Sequence, residues 1–285
     1  PNSSARLSGQ FTEGTNDTDI NRKTVNLRTQ PGIESYQRED IRSKINNWEI
    51  GGDYEYNTAR GDRFKVLLIS NSFTPDRLRE RWNLTGPSSE SKNLFLDSTS
   101  TTKERIIRSS YTLDMFGGSQ DIEFGAERAQ TILDSSLALG TLNPNGISSA
   151  AVGGLVPVDI PNARSSVEEM RYEPFVIHNW VFNPRMSLES SILYEDSTIT
   201  QSGQVSKERN YDYVKPKLDF RYDLTPTIQL RGTMEKIVQQ LSFNDFVAAL
   251  DRNDEDRDVQ FGNENIKQEW YWNYEFNAEY RLPND

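Results

Sequence analysis

One segment near the end of the chain constrains the fold more than any other feature. From Trp270 to Leu282 every second residue is apolar, and the alternate residues from Asn273 onward are polar. A period of two predicts a β-strand with unlike faces. These thirteen residues reach about 43 Å when extended. That length suits a tilted strand crossing a bilayer, which needs ~9–11 residues in lipid. The alternative is an unusually long, half-buried strand of a soluble sheet.

Composition limits the ways in which this chain can enter a membrane. Hydrophobic residues make up 34% and the mean hydropathy is −0.75, while the longest aliphatic run is only Val66–Ile69. A membrane-spanning helix is thereby excluded, since it needs ~20 apolar residues. A β-barrel remains compatible, because only alternate residues face lipid. The absence of cysteine excludes disulfides and thiol chemistry. The net charge of −11 argues against a nucleic-acid partner.

Turn signals divide the chain into alternating segments. Short signals lie at 57–62, 116–120, 183–186 and 225–227, and a fifth begins at Pro283. Gly, Pro, Asn and Asp supply the backbone conformations that such turns need. Polar stretches between the hairpins predict loops at roughly 27–43, 73–103, 140–166, 201–209 and 243–266.

The strand faces follow from the alternation. We expect lipid contact for Leu218, Phe220, Tyr222, Phe276 and Ala278, and a lumen position for Lys217, Asp219, Arg221, Glu275 and Asn277. The segment Tyr172–Phe182 is a strand by position, but its pattern leaves either face open as the apolar one.

With an opening strand around Ala5–Glu13, the chain contains about ten strands. Short turns that alternate with longer loops are typical of outer-membrane barrels. The fold prediction is therefore all-β: an antiparallel, up-and-down wall of a transmembrane β-barrel in the bacterial outer membrane. A soluble sandwich gives no reason for this difference in loop length.

The stretch Phe261–Leu282 resembles a segment late in the barrel of TonB-dependent receptors. There a Gly-Asn-Pro-x-Leu-Lys-Pro-Glu run leads into a strand reading Tyr-Glu-x-Gly-x-Glu-Tyr. The residues that fit are Gly262, Asn263, Lys267, Glu269, Tyr274, Glu275, Glu279 and Tyr280. Departures are Glu264 and Gln268 in place of the prolines, Ile266 for Leu, and Asn277 for Gly. The stretch Leu230–Phe246 is similar to the strand and loop that come before.

The resemblance implies a barrel of about 22 strands around a plug. Residues 1–285 would then be a partial barrel without its plug domain. It further implies energy-coupled uptake of a bulky nutrient such as a siderophore, cobalamin, saccharide or peptide. The implied partners are outer-membrane lipid, the plug of the same full-length protein, a TonB-type coupling protein that acts through the missing N-terminal part, and the nutrient. A passive porin-like channel, and a soluble β-rich binding or adhesion module, are the alternatives.

Enzymatic and metal chemistry have little support in the sequence. His178 is the single histidine, and no G-x-S-x-G elbow is present. The pairs Glu49/Asp53 and Glu275/Glu279 lie on predicted lumen faces, where polar residues are expected anyway. The acidic run Asp251–Asp258 lacks the glycine and distal glutamate of an EF-hand. We therefore expect no catalytic residue, no metal site and no cofactor.

Ligand contact is expected on the external loops, because the short turns cannot form a pocket. The loops carrying Arg77–Trp82, Leu155–Arg164 and Phe243–Phe261 are the candidates. Arginine and aromatic residues dominate binding hot spots. The candidate ligand-binding residues are Arg79, Arg81, Trp82, Phe243, Phe246 and Arg252.

Overall fold

The computed structural model describes residues 2–28, 31–86, 89–204, 206–250, 259–260, 262–263 and 265–282. Ten long strands lie side by side in chain order in one antiparallel sheet, which a short strand, β6, joins at β5. The strands are β1 (Ser3–Asn26), β2 (Ile33–Asn57), β3 (Arg63–Gly86), β4 (Ser89–Met115), β5 (Gln120–Thr141), β6 (Val156–Val158), β7 (Arg164–Asn183), β8 (Met186–Gly203), β9 (Lys207–Thr225), β10 (Ile228–Val238), β11 (Ala249–Leu250), β12 (Val259–Gln260) and β13 (Trp270–Tyr280). β11 and β12 pair separately. The predicted wall of about ten up-and-down strands is confirmed.

The register places the alternating apolar residues of neighbouring strands on one side of the sheet. Phe220 on β9 lies opposite Gly232 on β10, which in turn lies opposite Phe276 on β13. We call this side the outer face and the opposite side the inner face. Side chains alternate between the two faces along each strand. The outer face carries Leu218, Phe220, Tyr222, Phe276 and Ala278, and the inner face carries Lys217, Asp219, Arg221, Glu275 and Asn277. The predicted division of these residues into two faces is confirmed.

The sheet also settles the face of the segment Tyr172–Phe182. Val176 lies opposite Phe124, and His178 lies opposite Ile122, so both belong to the outer face. The Nε2 atom of His178 is 3.1 Å from Oε1 of Gln120. The single histidine therefore belongs to the apolar side of the wall, on the face opposite to the carboxylates of the inner face.

The four predicted short turns between strands are present. They connect β2 to β3, β4 to β5, β7 to β8 and β9 to β10. In the second of them Gly117 and Gly118 have φ angles of 67° and 86°, a conformation that favours glycine. The fifth turn, at Pro283, lies outside the described residues.

Three of the predicted loops are wrong. Most of 27–43 belongs to β2, nearly all of 73–103 belongs to β3 and β4, and six of the nine residues of 201–209 belong to β8 and β9. Arg38 and Glu90, on the ends of β2 and β4, form an ion pair across the sheet with an Nη2–Oε2 distance of 2.9 Å. Backbone pairing and such polar contacts stabilise strands whose two faces both meet water, so period-two alternation is absent there. The connection between β3 and β4 is consequently as short as the turns at the other end.

Two clusters of buried hydrophobic residues lie on the inner face. One contains Leu133, Val167, Ile199, Phe246 and Val247. The other contains Leu96, Leu137, Ile160 and Ala248. Both involve residues that follow β10, so these residues fold back onto the sheet. No helix among the described residues is long and apolar enough to cross a membrane.

Candidate functional site

Residues between β10 and β13 cover part of the inner face. We call residues 241–248, 262–263 and 265–268 the inner cover. Phe246 is fully buried and packs against Leu133 of β5, Val167 of β7 and Ile199 of β8. These three apolar side chains stand on the inner face of successive long strands, where polar residues otherwise predominate. They provide the hydrophobic surface onto which the inner cover folds.

Close backbone contacts fix the inner cover in place. The Nε2 atom of Gln201 donates a hydrogen bond of 3.1 Å to the carbonyl oxygen of Phe246. The backbone N–H of Asn263 donates to the carbonyl oxygen of Asp245 at 2.7 Å. A Cβ atom on Gly262 would lie 2.3 Å from the Phe246 carbonyl oxygen, so only glycine fits there. The start of the receptor-like motif, Gly262 and Asn263, thus joins the two parts of the cover.

The second part of the inner cover leads into β13 along the inner face of β8 and β9. The Tyr211 hydroxyl donates to the Ile266 carbonyl oxygen at 3.5 Å. Nε2 of Gln268 lies 3.5 Å from Oε1 of Glu195. The backbone N–H of Gln239 donates to the Glu269 carbonyl oxygen at 2.8 Å, immediately before β13. Of the motif residues on β13, Tyr274 and Tyr280 lie on the outer face and Glu275 and Glu279 on the inner face.

A network of charged side chains lies next to the inner cover. Lys215 Nζ is 2.7 Å from Glu173 Oε1 and 2.6 Å from Glu195 Oε2. Arg171 Nε is 3.2 Å from Glu173 Oε2, and Arg171 Nη1 is 3.9 Å from Glu169 Oε2. We call these five residues the inner charge cluster. Glu195 is completely buried, and Gln268 connects the cluster to the cover.

The strand pattern explains why the cluster forms. Residues 169, 171 and 173 alternate along β7 and therefore share the inner face. Glu195 on β8 and Lys215 on β9 stand on the same face of the next two strands. Three carboxylates and two cations give the cluster a formal charge of −1. A net acidic, largely desolvated site disfavours anionic ligands and favours ligands with positive or hydrogen-bond-donating groups.

Glu169 has a distinct place in this cluster. It lies fourteen residues from the end of β7 at Asn183, beyond the ~9–11 residues that a strand needs to cross lipid. Burial raises the pKa of the Glu169 carboxyl group, and Arg171 opposes the rise while Glu195 and Glu173 add to it. Its Oε1 atom is buried and has no hydrogen-bond partner among the described residues. Protonation of Glu169 would remove one negative charge and supply a donor at that position.

The predicted ligand residues of β3 do not form one site. Arg79, Arg81 and Trp82 lie on a strand, so their placement on a loop is wrong, because cross-strand pairing continues to Gly86. Arg79 and Arg81 belong to the inner face, whereas Trp82 belongs to the outer face. Arg79 is buried and pairs with Glu39 through an Nε–Oε1 distance of 2.5 Å.

Trp82 and Arg81 make separate contacts on the two faces. The guanidinium carbon of Arg38 lies 4.0 Å from the Trp82 ring centroid. Lys92 Nζ lies 5.3 Å from the same ring. Arg81 Nε donates to Oδ1 of Asn93 at 3.2 Å. Trp82 is therefore stacked between cations on the outer face and is turned away from the inner charge cluster.

The predicted ligand residues after β10 also differ from one another. Phe243 and Phe246 lie in a 3₁₀ turn with their ring centroids 6.4 Å apart. Phe246 is a buried core residue, so its assignment as an exposed loop contact is wrong, because it fills the hydrophobic surface of the inner face. Phe243 is partly buried at the edge of this core. Arg252 and the acidic run Asp251–Asp258 lie outside the described residues.

Sequence reasoning missed the inner charge cluster and Gln268. A signal for the cluster was present in the alternation of Glu169, Arg171 and Glu173, because alternate charged residues indicate one polar face of a strand. The pairing with Glu195 and Lys215 depends on the register between strands, which the hydrophobic pattern in this part of the chain does not specify.

Residues 1–284 match the protein family described as "TonB dependent receptor-like, beta-barrel". The chain belongs to this family. Membership explains both the ten-strand wall and the motif that leads into β13, since both are parts of the barrel of such a receptor. The family context is transport across the bacterial outer membrane.

Solved structures with low sequence identity share the fold of this chain. The copper transporter OprC has 11% sequence identity to this chain and a TM-score of 0.50, covering 99% of this chain and 51% of OprC. The ferric citrate transporter FecA has 13% identity and a TM-score of 0.49, covering 83% of this chain and 39% of FecA. The receptor chain thus spans about half or less of these proteins. No curated protein shows significant sequence similarity to it.

Proposed function

We propose that this chain is part of the wall of an outer-membrane receptor that imports a bulky nutrient with energy from a TonB-type protein. The inner cover supports this proposal more than any other single observation. Phe246 and Gln268 hold it against three strands, above the inner charge cluster. A passive channel requires a water-filled lumen, whereas a segment packed on the lumen side is suited to gate or contact a ligand.

The proposed site consists of the inner cover and the inner charge cluster. A nutrient arriving at the ends of the strands opposite the short turns meets the cover first. Gln268 bonds to Glu195, so movement of the cover would expose a buried carboxylate. The cluster favours a nutrient that presents cationic or donor groups over a simple anion. Phe243, Arg81 and Arg252 remain proposed ligand contacts, while Arg79, Phe246 and Trp82 support the wall.

The remaining partners follow from the family. We infer that the polar inner face nearer the short turns contacts a plug domain of the same full-length protein. Lys217, Asp219 and Glu275 stand on that part of the inner face. The outer face would contact outer-membrane lipid. The TonB-type protein would act through the plug and not through the strands described above.

Deletion of residues 243–258 in the intact receptor tests the proposed site. We expect nutrient affinity and uptake to fall by about tenfold or more, since loss of even one hot-spot contact costs about 2 kcal/mol or more. Asn265→Ala provides a graded comparison and should have a much smaller effect, because it removes from the inner cover only one exposed hydrogen bond, which Lys207 donates at 2.6 Å. Barrel folding is monitored by the heat-dependent mobility of the protein on gels.

Two results would contradict the proposal. Unchanged affinity and uptake after the deletion would remove the inner cover from the site. Uptake by the unaltered receptor that continued after collapse of the energy supply would instead identify a passive channel. Electrical conductance across a planar bilayer distinguishes such a channel directly, since an open pore conducts ions without any nutrient.

A further inference from the structure

Two arginines interrupt the apolar outer face. Arg105 on β4 lies opposite Ser70 on β3, and Arg128 on β5 lies opposite Ile107 on β4. Both therefore belong to the face that carries Ile122 and Phe124 of β5. They occupy diagonal positions on adjacent strands, a spacing within reach of two long side chains that contact one ligand.

Neither arginine has a carboxylate partner in the described part of the chain. Arg105 donates from Nη1 to Oε1 of Gln130 at 3.3 Å, and the side chain of Arg128 makes no hydrogen bond or ion pair there. Two lysines on the same outer face are paired, Lys103 with Asp134 at 3.2 Å and Lys44 with Glu13 at 3.4 Å. Arg105 and Arg128 instead bring two guanidinium groups without a carboxylate partner to adjacent positions.

An apolar groove of about 400 Å³ begins at these arginines. Its walls include Leu7, Ile50, Leu68 and Ile107, each of which is exposed to between 44% and 84% of its full area. Gly52 forms the floor between Leu7 and Leu68, and a Cβ atom there would lie 3.5 Å from Cδ1 of Leu7. The absence of a side chain at residue 52 therefore widens the groove.

The distance of the two arginines from the short turns places them at the level of a lipid headgroup. Arg128 stands eight residues from the start of β5, and Arg105 stands ten residues from the end of β4. A strand tilted by about 40° rises about 20–25 Å over that distance, which is close to the ~25 Å apolar band of an outer-membrane barrel. Gly52 and Leu68 are each only five residues from their short turn. The groove therefore runs from the arginines into the apolar band.

We propose that this groove binds a phosphorylated lipid of the leaflet opposite the short turns, with its phosphate between Arg105 and Arg128. An acyl chain lies over Gly52, between Leu7 and Leu68. Guanidinium groups bind phosphate oxygens through paired N–H donors, and basic pockets on membrane proteins bind lipid headgroups in this way. The inference rests on the outer-membrane placement in the proposed function. The competing outcome is that both side chains extend into water and bind no lipid.

Native mass spectrometry of the intact receptor in detergent tests the site, with diphosphorylated lipid A as the probe. We expect Arg105→Gln combined with Arg128→Gln to weaken lipid binding by about tenfold or more. The matched control is Lys44→Gln combined with Lys103→Gln, which removes the same charge from the same face. Gly52→Leu fills the groove without a change of charge and is also expected to weaken binding.

Equal lipid affinity in the arginine and lysine double variants would overturn the proposal. So would equal binding of a dephosphorylated lipid A by the unaltered receptor. Nutrient uptake is measured on the same variants, because it distinguishes failure of the lipid site from failure of the proposed transport function. Normal, energy-dependent uptake without lipid selectivity would remove only the lipid site. Passive uptake with selective lipid retention would instead remove the transport mechanism and leave the lipid site in place.

Discussion

The polar ends of the strands are stabilised in two different ways along the sheet. In strands β1–β4, which contain 24 to 27 residues each, backbone pairing and cross-strand contacts such as Arg79–Glu39 and Arg38–Glu90 extend the wall. In β5 and β7–β9, the inner cover adds a hydrophobic core around Phe246, and its Ala248 also reaches the cluster that contains Leu96 of β4. The difference shows that a polar segment of this chain becomes a strand where a polar partner strand continues beside it. It becomes a cover where an apolar inner surface is available.

The largest effect is expected for Phe246→Ala, which should disrupt only the second region. Truncation of a fully buried phenylalanine costs about 3–5 kcal/mol, and here the loss falls on the docking of the inner cover. Hydrogen exchange of the backbone in residues 241–248 should accelerate, while exchange in the β1–β2 hairpin stays the same. Phe243→Ala, at the partly buried edge of the core, is the control and should have a smaller effect. Uniform acceleration across both regions would show that they are not independent.

The next largest effect is expected when a charge is placed on the outer face. Phe220 lies on the outer face, five residues from the end of β9, and its replacement by arginine should cost ~2–4 kcal/mol in a lipid-facing position. Asp219→Asn, on the inner face beside it, should cost much less, because the amide still accepts the 3.1 Å hydrogen bond from Thr233. Refolding titrations into lipid vesicles measure both free energies. Equal costs would contradict the assignment of the faces.

A smaller effect, confined to the first region, is expected for Glu39→Gln. Arg79 donates to both carboxylate oxygens of Glu39, at 2.5 and 3.1 Å, and both residues are buried. Glutamine keeps one acceptor but removes the charge, so we expect a loss of about 2 kcal/mol. Glu90→Gln, which removes a partly exposed partner of Arg38, should cost less than about 1 kcal/mol. Denaturant titration and exchange in β2 and β3 provide the measurement, and equal losses would contradict the distinction.

The sequence predicted the fold best where the two faces of a strand differ in polarity. The face of Phe220 and Phe276 could be predicted because a single environment selects every second residue. The hairpin around Gly86 could not, since both faces of β3 and β4 meet water there and no period remains. Trp82 could have been assigned to the outer face by counting from Val66 along β3.

The candidate site was less accessible to sequence reasoning. An aromatic residue in a polar stretch has the same local pattern whether it contacts solvent or a core, and only the fold shows that Phe246 contacts Leu133. The inner charge cluster depends on three strands being in register, so no single segment contains it. Gly262 could be recognised as a motif residue. A glycine is required there because the Phe246 carbonyl oxygen lies against residue 262, and this contact exists only after folding.

The contact between Phe246 and Leu133 also has a consequence for the order of folding. Most of the long strands pair with the next strand across a connection of a few residues, so we expect the sheet to grow by closing these short connections in succession. The inner cover instead contacts a strand more than a hundred residues earlier. Contacts between distant segments carry a large loop-closure cost until the intervening chain is ordered. The cover therefore docks late, after β5 to β9 have assembled, and a receptor stalled before that step would have a complete wall and an open interior.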